Sequence, residues 1–259
     1  MRVIGALAVL ALSLAAFPAL ATTFTAGEFV TFSQGEWGET PASTNVGALL
    51  ENNYDSIFAP SDLLEVGIHG SAGFSIIFDN PDDLIAYLPS NGTAGALTAD
   101  LLDPPSSASG VFGGEVAALA MNIAFSDAGL LAHPAGVPFG DLILQNLDML
   151  AAYEGAPDIG PEITELDGMS VRELLSQADL VFGGATTPFN PDEMAEIVGS
   201  TNMVFDAGFI GTFDKFLAFP PSAALTVPEP STWALLLIGF AGLGLVRFRV
   251  SRGGRAAAD

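Results

Sequence analysis

Two long apolar runs stand near the two ends of the chain, each in its own polar setting. The first covers residues 3–17, comes after Arg2, and is followed by the small residues Ala19 and Ala21. A basic residue, a short apolar stretch and small residues at alternate positions are typical of a secretory signal peptide, and neither an internal core helix nor a membrane anchor needs them together. We therefore expect a signal peptide over residues 1–21, cleaved by signal peptidase after Ala21.

The second run covers residues 234–246 and is bordered by a tryptophan and four arginines. Counted from Trp233 it has 14 residues, fewer than the roughly 20 that cross a bilayer comfortably. Long arginine side chains reach back to the headgroups, so we still expect a short transmembrane helix. Trp233 is then the interfacial anchor, and the bases that stop transfer on the cytoplasmic side are Arg247, Arg249, Arg252 and Arg255.

The segment between the two runs carries helical periodicity and helix-start signals. Apolar residues recur at helical spacing over residues 46–57 and again after a capping box that begins at Ser170. Asn80 and Asn190 each precede a proline and two acidic residues. This pattern predicts helix N-termini, because asparagine caps the helix and the acids face the positive end of its dipole. The apolar stretch 116–125 predicts a buried helix, with a strand as the alternative.

Strand signals are fewer. Residues 64–69 and 74–78 flank a short glycine-containing segment and predict a β-hairpin, and residues 142–144 predict one more short strand. Residues 218–221 carry a loop signal and begin a tether. With no repeat and no linker inside it, we expect residues 22–224 to form one helix-rich α+β domain with a small antiparallel sheet.

Charge narrows the range of functions. The chain has 30 acids, 7 bases, a formal net charge of −23 and no cysteine. This charge repels phosphate backbones and excludes nucleic acid as a partner, and the lack of cysteine excludes disulfides, thiolate metal sites and cysteine nucleophiles. Residues 22–230 hold 29 acids and two bases, Arg172 and Lys215. Because the other five bases flank the two apolar runs, we expect the acidic middle to be translocated.

The C-terminal segment resembles a known sorting signal. Val227, Pro228, Glu229 and Pro230, followed by a short apolar helix and an arginine cluster, resemble the PEP-CTERM signal of Gram-negative bacteria that make exopolysaccharide. The resemblance covers residues 225–259, with a longer and less basic tail than the minimal pattern. It implies recognition and cleavage by an exosortase, a transient stay in the inner membrane, and delivery to the cell envelope or outer surface. An ordinary C-terminal anchor behind a proline-rich stalk is the alternative.

The acidic middle carries a second, less specific resemblance. Residues 35–38, 95–101, 110–116, 125–129 and 140–144 resemble parts of a recurring bacterial secreted domain. This resemblance spans residues 30–210. It implies a secreted surface module and brings no catalytic residue with it.

Carboxylates are the main candidates for chemistry. His69 and His133 stand alone, so a zinc site or a catalytic triad would need distant partners. The pairs at 82–83 and 192–193 are explained as acids at helix N-termini. Glu162 and Glu165 lie in a segment flanked by proline and glycine and are predicted to be a solvated face.

Calcium is the cofactor that best suits this charge, although no EF-hand or calcium-binding repeat is present. Hard oxygen ligands are abundant, and weak extracellular sites need only about millimolar calcium. The candidate ligands lie in or beside the family-like segments: Asp100, Asp103, Asp127 and Asp141. The alternative is that the acids simply keep an exported protein soluble.

These observations favour an exported, non-enzymatic protein of the cell envelope or extracellular matrix that an exosortase sorts and that associates with exopolysaccharide. One alternative is a secreted polysaccharide hydrolase that uses two carboxylates. Another is a calcium-dependent adhesin.

Overall fold

The computed structural model describes residues 23–61, 63–68, 70, 72–149 and 160–221. The predicted signal peptide with Ala19 and Ala21, the Val227–Pro230 motif, Trp233 and the four arginines lie outside the described residues, as does His69. Within the described ranges no helix is both long enough and apolar enough to cross a bilayer.

The described residues contain six α-helices and five short strands. The helices are α1 (Gln34–Trp37), α2 (Val46–Ile57), α3 (Pro81–Tyr87), α4 (Val111–Asp127), α5 (Val171–Phe182) and α6 (Pro191–Asn202). The strands are β1 (Leu64–Gly67), β2 (Ser75–Phe78), β3 (Leu101–Leu102), β4 (Ile143–Leu144) and β5 (Leu217–Ala218). Short 3-10 turns lie at Phe139–Asp141, Leu147–Met149, Pro161–Leu166 and Thr212–Phe216. The predicted helix-rich α+β composition is confirmed.

The predicted helix starts use the side chains that the sequence indicated. The side chain of Asn80 accepts a hydrogen bond from the backbone N–H of Asp83 at 2.9 Å, and Asn190 accepts one from Glu193 at 2.9 Å. Ser170 forms the predicted capping box with the acid three residues later. Each cap satisfies a backbone donor that the first helical turn leaves unpaired, which fixes where α3, α5 and α6 begin.

Helix α4 is the centre of the domain. It packs against α1, α5, α6 and β1, and it is buried on nearly all sides. A helix surrounded in this way needs apolar side chains all round and small residues where neighbours approach closely. Residues 111–127 meet both needs, so the helical interpretation of 116–125 is confirmed and the strand alternative is wrong.

The main sheet differs from the prediction in one respect. Strands β1 and β2 form the predicted antiparallel hairpin, with Leu64 opposite Phe78. Strand β3, however, pairs parallel to β2, with Ile76 opposite Leu101, so the sheet is mixed rather than antiparallel. The chain passes from β2 to β3 through α3. This crossover lets β3 run in the same direction as β2.

A second, two-stranded sheet closes the domain near its C-terminal end. Strands β4 and β5 pair antiparallel, with Ile143 opposite Ala218. The strand predicted at 142–144 is therefore present, whereas Ala218, predicted as the start of a loop, is in a strand. Next to this sheet the rings of Phe24 and Phe29 pack both with Phe219 and with Phe205. This cluster joins the first described segment to the last.

Candidate functional site

A cleft between α4 and α6 is a concave site that carries titratable groups. Its volume is about 390 Å³. The cleft, called here the α4–α6 groove, is lined by Ala94, Val111, Glu115, Asp192, Ala195, Glu196, Gly199, Ser200 and Met203. A Cβ atom at Gly199 would lie 3.2 Å from the carboxyl carbon of Glu115. The glycine therefore leaves the carboxyl accessible from the α6 side.

Glu115 is the least exposed of the three titratable groups that line this groove. Its Oε1 accepts a hydrogen bond from Nε2 of Gln34 at 2.8 Å, and its Oε2 accepts one from Nδ2 of Asn202 at 2.9 Å. Burial raises the pKa of Glu115 above its ordinary value, the two amide donors act in the opposite direction, and the charge of Glu196 raises the pKa further. Glu115 is thus a carboxyl with an increased tendency to hold a proton.

The amides that hold Glu115 belong to a longer buried network. Oδ1 of Asn202 accepts a hydrogen bond from Asn122 at 3.1 Å. Oδ1 of Asn122 accepts bonds from the backbone N–H of Phe32 at 2.9 Å and the indole N–H of Trp37 at 3.3 Å. A network satisfied at this many positions fixes side-chain geometry, since breaking one bond leaves another buried group without a partner.

The groove is lined by both acidic and apolar side chains. Asp192 and Glu196 add two carboxylates beside Glu115, and Ser200 adds a hydroxyl. Carboxylates and amides hydrogen-bond sugar hydroxyls, and a protonated acid beside an ionised one is also the pair that glycoside hydrolysis uses.

Sequence reasoning did not single out Glu115, although a signal for it exists. Glu115 and Asn122 are polar residues seven positions apart in an otherwise apolar run. Two helical turns separate them, so they lie on one face, and a polar face on a buried helix requires polar partners.

The structure separates the four predicted calcium ligands into different places. Asp100 accepts a hydrogen bond from the backbone N–H of Ser75 at 3.0 Å, on the sheet. Asp127 and Asp141 lie together, and both bind the guanidinium of Arg172, at 2.8 Å and 3.1 Å. These two carboxylates raise the pKa of Arg172. The guanidinium binds both of them, in the place where a metal cation would have to lie.

Asp103 is part of a different acidic group, near the start of α3. One carboxylate oxygen each from Asp79, Asp83 and Asp103 lies within 4.8 Å of the others. Each carboxylate already has a donor: Asp103 accepts from the backbone N–H of Asp79 at 2.9 Å, and the side-chain amide of Asn80 donates to Asp79 and Asp83 at 2.8 Å and 2.6 Å. The calcium site therefore stays a prediction. Of its four predicted ligands, Asp103 belongs to this acidic group.

The other predicted features occupy structural positions. The ring of His133 is within hydrogen-bond distance, 2.9 Å, of the next residue's carbonyl oxygen in a loop. Asp82 and Asp83 lie in the first turn of α3, and Asp192 and Glu193 in that of α6, as the helix-start interpretation predicts.

A second pair of carboxylates meets near the short helix α1. Burial raises the pKa of Glu36, and a side-chain contact with Asp206 raises it further. Oδ1 of Asp206 is buried without a hydrogen-bond partner in the described structure. The like charge of Asp206 disfavours the ionised form of Glu36, because the two carboxylates repel each other.

Comparison with known proteins adds one match. The profile of the PEP-CTERM protein-sorting motif matches residues 226–252. No curated protein and no solved structure matches the chain. The sorting-signal resemblance of the C-terminal segment is therefore confirmed.

Proposed function

Because the chain carries a PEP-CTERM protein-sorting motif, which implies an exported protein that an exosortase processes, we propose a role for its acidic domain. The domain is a non-enzymatic component of the cell envelope or extracellular matrix and associates with exopolysaccharide. The observation that carries the proposal is the sorting motif directly behind a folded acidic domain: the last described residue is Pro221, and the motif begins at residue 226.

The composition of the domain supports this role. Residues 22–230 hold 29 acids and two bases, and one of those bases, Arg172, is already bound by Asp127 and Asp141. A net charge this far from zero keeps an exported domain hydrated and soluble. The α4–α6 groove offers carboxylate and hydroxyl groups, which match the hydroxyl-rich chemistry of a polysaccharide.

The proposed route has three steps. Signal peptidase removes residues 1–21, the apolar segment 234–246 holds the chain in the inner membrane, and an exosortase cleaves near the Pro-Glu-Pro element. Pro228 and Pro230 lack amide donors and favour extended backbone, so they present Glu229 as an accessible charge just outside the membrane.

Mass and fractionation of the protein from its native host test this route. The variant P228A/E229A/P230A is expected to keep its C-terminal segment and to remain in the inner membrane, like the parent protein in a strain without the sorting enzyme. The matched control is P220A/P221A, which alters a proline pair of the tether outside the motif and is expected to be processed normally. Normal processing of the motif variant would overturn the proposal.

A polysaccharide hydrolase is the second candidate, and Glu115 is the observation that favours it. A carboxyl with a raised pKa can serve as the general acid, and Asp192 or Glu196 in the same groove as the base or nucleophile. The purified protein would then release reducing sugar from host exopolysaccharide, and E115Q would abolish the release while E51Q, on the exposed face of α2, would not. No release from any host polysaccharide would eliminate this candidate.

A further inference from the structure

The two ends of the described domain leave it at the same place. The ring of Phe24 stacks on that of Phe219 with centroids 4.9 Å apart, and the ring of Phe205 lies 5.0 Å from Phe24. The predicted signal peptide ends three residues before Phe24, and the sorting motif begins seven residues after Phe219. Both membrane-directed segments of the precursor therefore attach at one point on the domain.

An apolar loop borders this point. The backbone N–H of Gly27 donates to the carbonyl oxygen of Gly208 at 2.8 Å, so the loop at residues 203–211 is fixed beside the first described segment. In this loop Phe209 is 75% exposed, Met203 55% and Ile210 38%. We call Met203, Phe209 and Ile210, together with Phe24 and Phe219, the exit face.

The loop is an ordered turn. The backbone N–H of Phe209 donates to the carbonyl oxygen of Asp206 at 2.9 Å, and the backbone N–H of Gly211 donates to the carbonyl oxygen of Val204 at 2.7 Å. Gly208 has a φ of +85°, which glycine adopts without strain. These bonds hold the phenylalanine outward although it contributes little to the core, and clustered exposed apolar side chains of this kind mark interaction sites.

The charged groups around the exit face have contacts within the domain. Glu28 accepts hydrogen bonds from the backbone and hydroxyl of Thr25 at 2.9 Å and 3.0 Å. Asp206 faces Glu36. Lys215, on the turn that leads into β5 and the tether, places its ammonium over the ring of Phe216.

The tether keeps this face near the membrane. Eleven residues separate Pro221 from Trp233, and a fully extended chain of this length spans about 40 Å at most. A folded domain of this size is itself about 40 Å across. An anchored domain therefore cannot move far from the bilayer, and the side that carries the tether always stays within reach of it.

We propose that the exit face docks on the periplasmic leaflet of the inner membrane while the sorting motif is uncleaved, with Phe209 among the lipid headgroups. This inference rests on the anchoring role of the C-terminal segment in the proposed function. An apolar patch of three side chains binds lipid weakly by itself, but the short tether keeps its effective concentration at the membrane high. Cleavage of the tether removes this high effective concentration, and the domain then leaves the membrane.

Site-specific fluorescence in phospholipid nanodiscs tests the docking. The parent chain has no cysteine, so single-cysteine variants can be labelled with an environment-sensitive dye. The chain is purified from the inner membrane of a strain without the sorting enzyme, as F209C, as L236C within the predicted span, and as L102C. Leu102 is 64% exposed on the other sheet and is the matched control.

Lipids with brominated acyl chains are expected to quench the dye at 209 and at 236 but not at 102. Quenching at 236 without quenching at 209 would overturn the docking and leave the anchor intact. No quenching at 236 would overturn the anchor, and with it the proposed route. Disulfide-linked dimers through F209C in nanodiscs that hold two copies, without quenching at 209, would assign the exit face to a second copy instead and also overturn the inference.

Discussion

Asp179 on α5 is a carboxyl that the fold holds in its neutral form. Its Oδ1 accepts a hydrogen bond from the backbone N–H of Gly67 at 2.8 Å. Burial raises its pKa to about 7, and the charge of Glu65 adds to the rise. Since the folded pKa exceeds the unfolded one, this group stabilises the fold at acidic pH, and its contribution is lost as the pH rises from the unfolded pKa of 3.8 through the folded pKa of about 7.

The variant D179N is therefore expected to stabilise the domain at pH 8 by about 1–3 kcal/mol and to have little effect at pH 4. Asparagine keeps the acceptor for Gly67 but carries no charge to desolvate. Urea unfolding at both pH values measures the difference. E51Q, which removes an exposed charge on α2, should leave the pH dependence unchanged. If the free energy of unfolding of D179N changed with pH in the same way as that of the parent protein, the explanation would be contradicted.

The contact between Glu36 and Asp206 acts in the same direction. Burial and then Asp206 raise the pKa of Glu36, so stability from this pair is also lost as the pH rises through the raised pKa. D206N replaces the repulsion with an amide donor and is expected to raise the free energy of unfolding at pH 8 by no more than about 0.5 kcal/mol, because solvent screens the half-buried Glu36. The gain at pH 4 is expected to be smaller. The same unfolding experiment tests this expectation, with the exposed D148N as control. An unchanged or lower stability of D206N at pH 8 would count against repulsion between the two carboxylates.

At the scale of elements, the close packing around α4 sets the shape of the groove wall. A Cβ atom at Gly114 would lie 2.9 Å from the side-chain carbonyl carbon of Gln34 and 3.1 Å from Cβ of Ser90. Gln34 cannot move away freely, because it binds Glu115 and the backbone N–H of Ser90 at 2.8 Å and 2.9 Å. Gln34 and Ser90 can therefore approach α4 this closely only where position 114 has no side chain.

G114A is expected to destabilise the domain by about 1–3 kcal/mol. G35A is the matched control, because the nearest atom to its added Cβ is 3.8 Å away and alanine is the better helix former. Thermal or urea unfolding of both variants provides the comparison. Equal stability of the two variants would mean that α4 and α1 can separate without cost.

The same scale shows which parts of the fold the sequence could predict. The starts of α3, α5 and α6 depend on contacts within three residues, so Asn80, Ser170 and Asn190 were sufficient. The pairing of β4 with β5 joins residues that are far apart in sequence, and the parallel pairing of β3 depends on a crossover. The accessibility of Glu115 depends on where α6 packs, which no local pattern determines.

At the scale of the whole molecule, repulsion among acidic groups is strong, because residues 22–230 hold 29 acids and two bases. Sodium chloride is expected to raise the melting temperature by a few degrees between about 0.02 M and 0.5 M, because screening weakens that repulsion. Differential scanning fluorimetry measures this rise, and a flat or falling curve would contradict it.

The calcium prediction requires a further effect. At equal ionic strength, calcium chloride should raise the melting temperature of the parent protein above its value in sodium chloride, and it should not do so for D103N.

The position of β5 also determines how the domain bears mechanical load. This two-residue strand is the last strand before the tether, and it pairs with β4 in antiparallel register. If polysaccharide held the body of the domain and flow pulled on the tether, the force would reach β5 first and peel its hydrogen bonds one at a time. The C-terminal edge would then yield at low force, before the helices packed around α4 are strained.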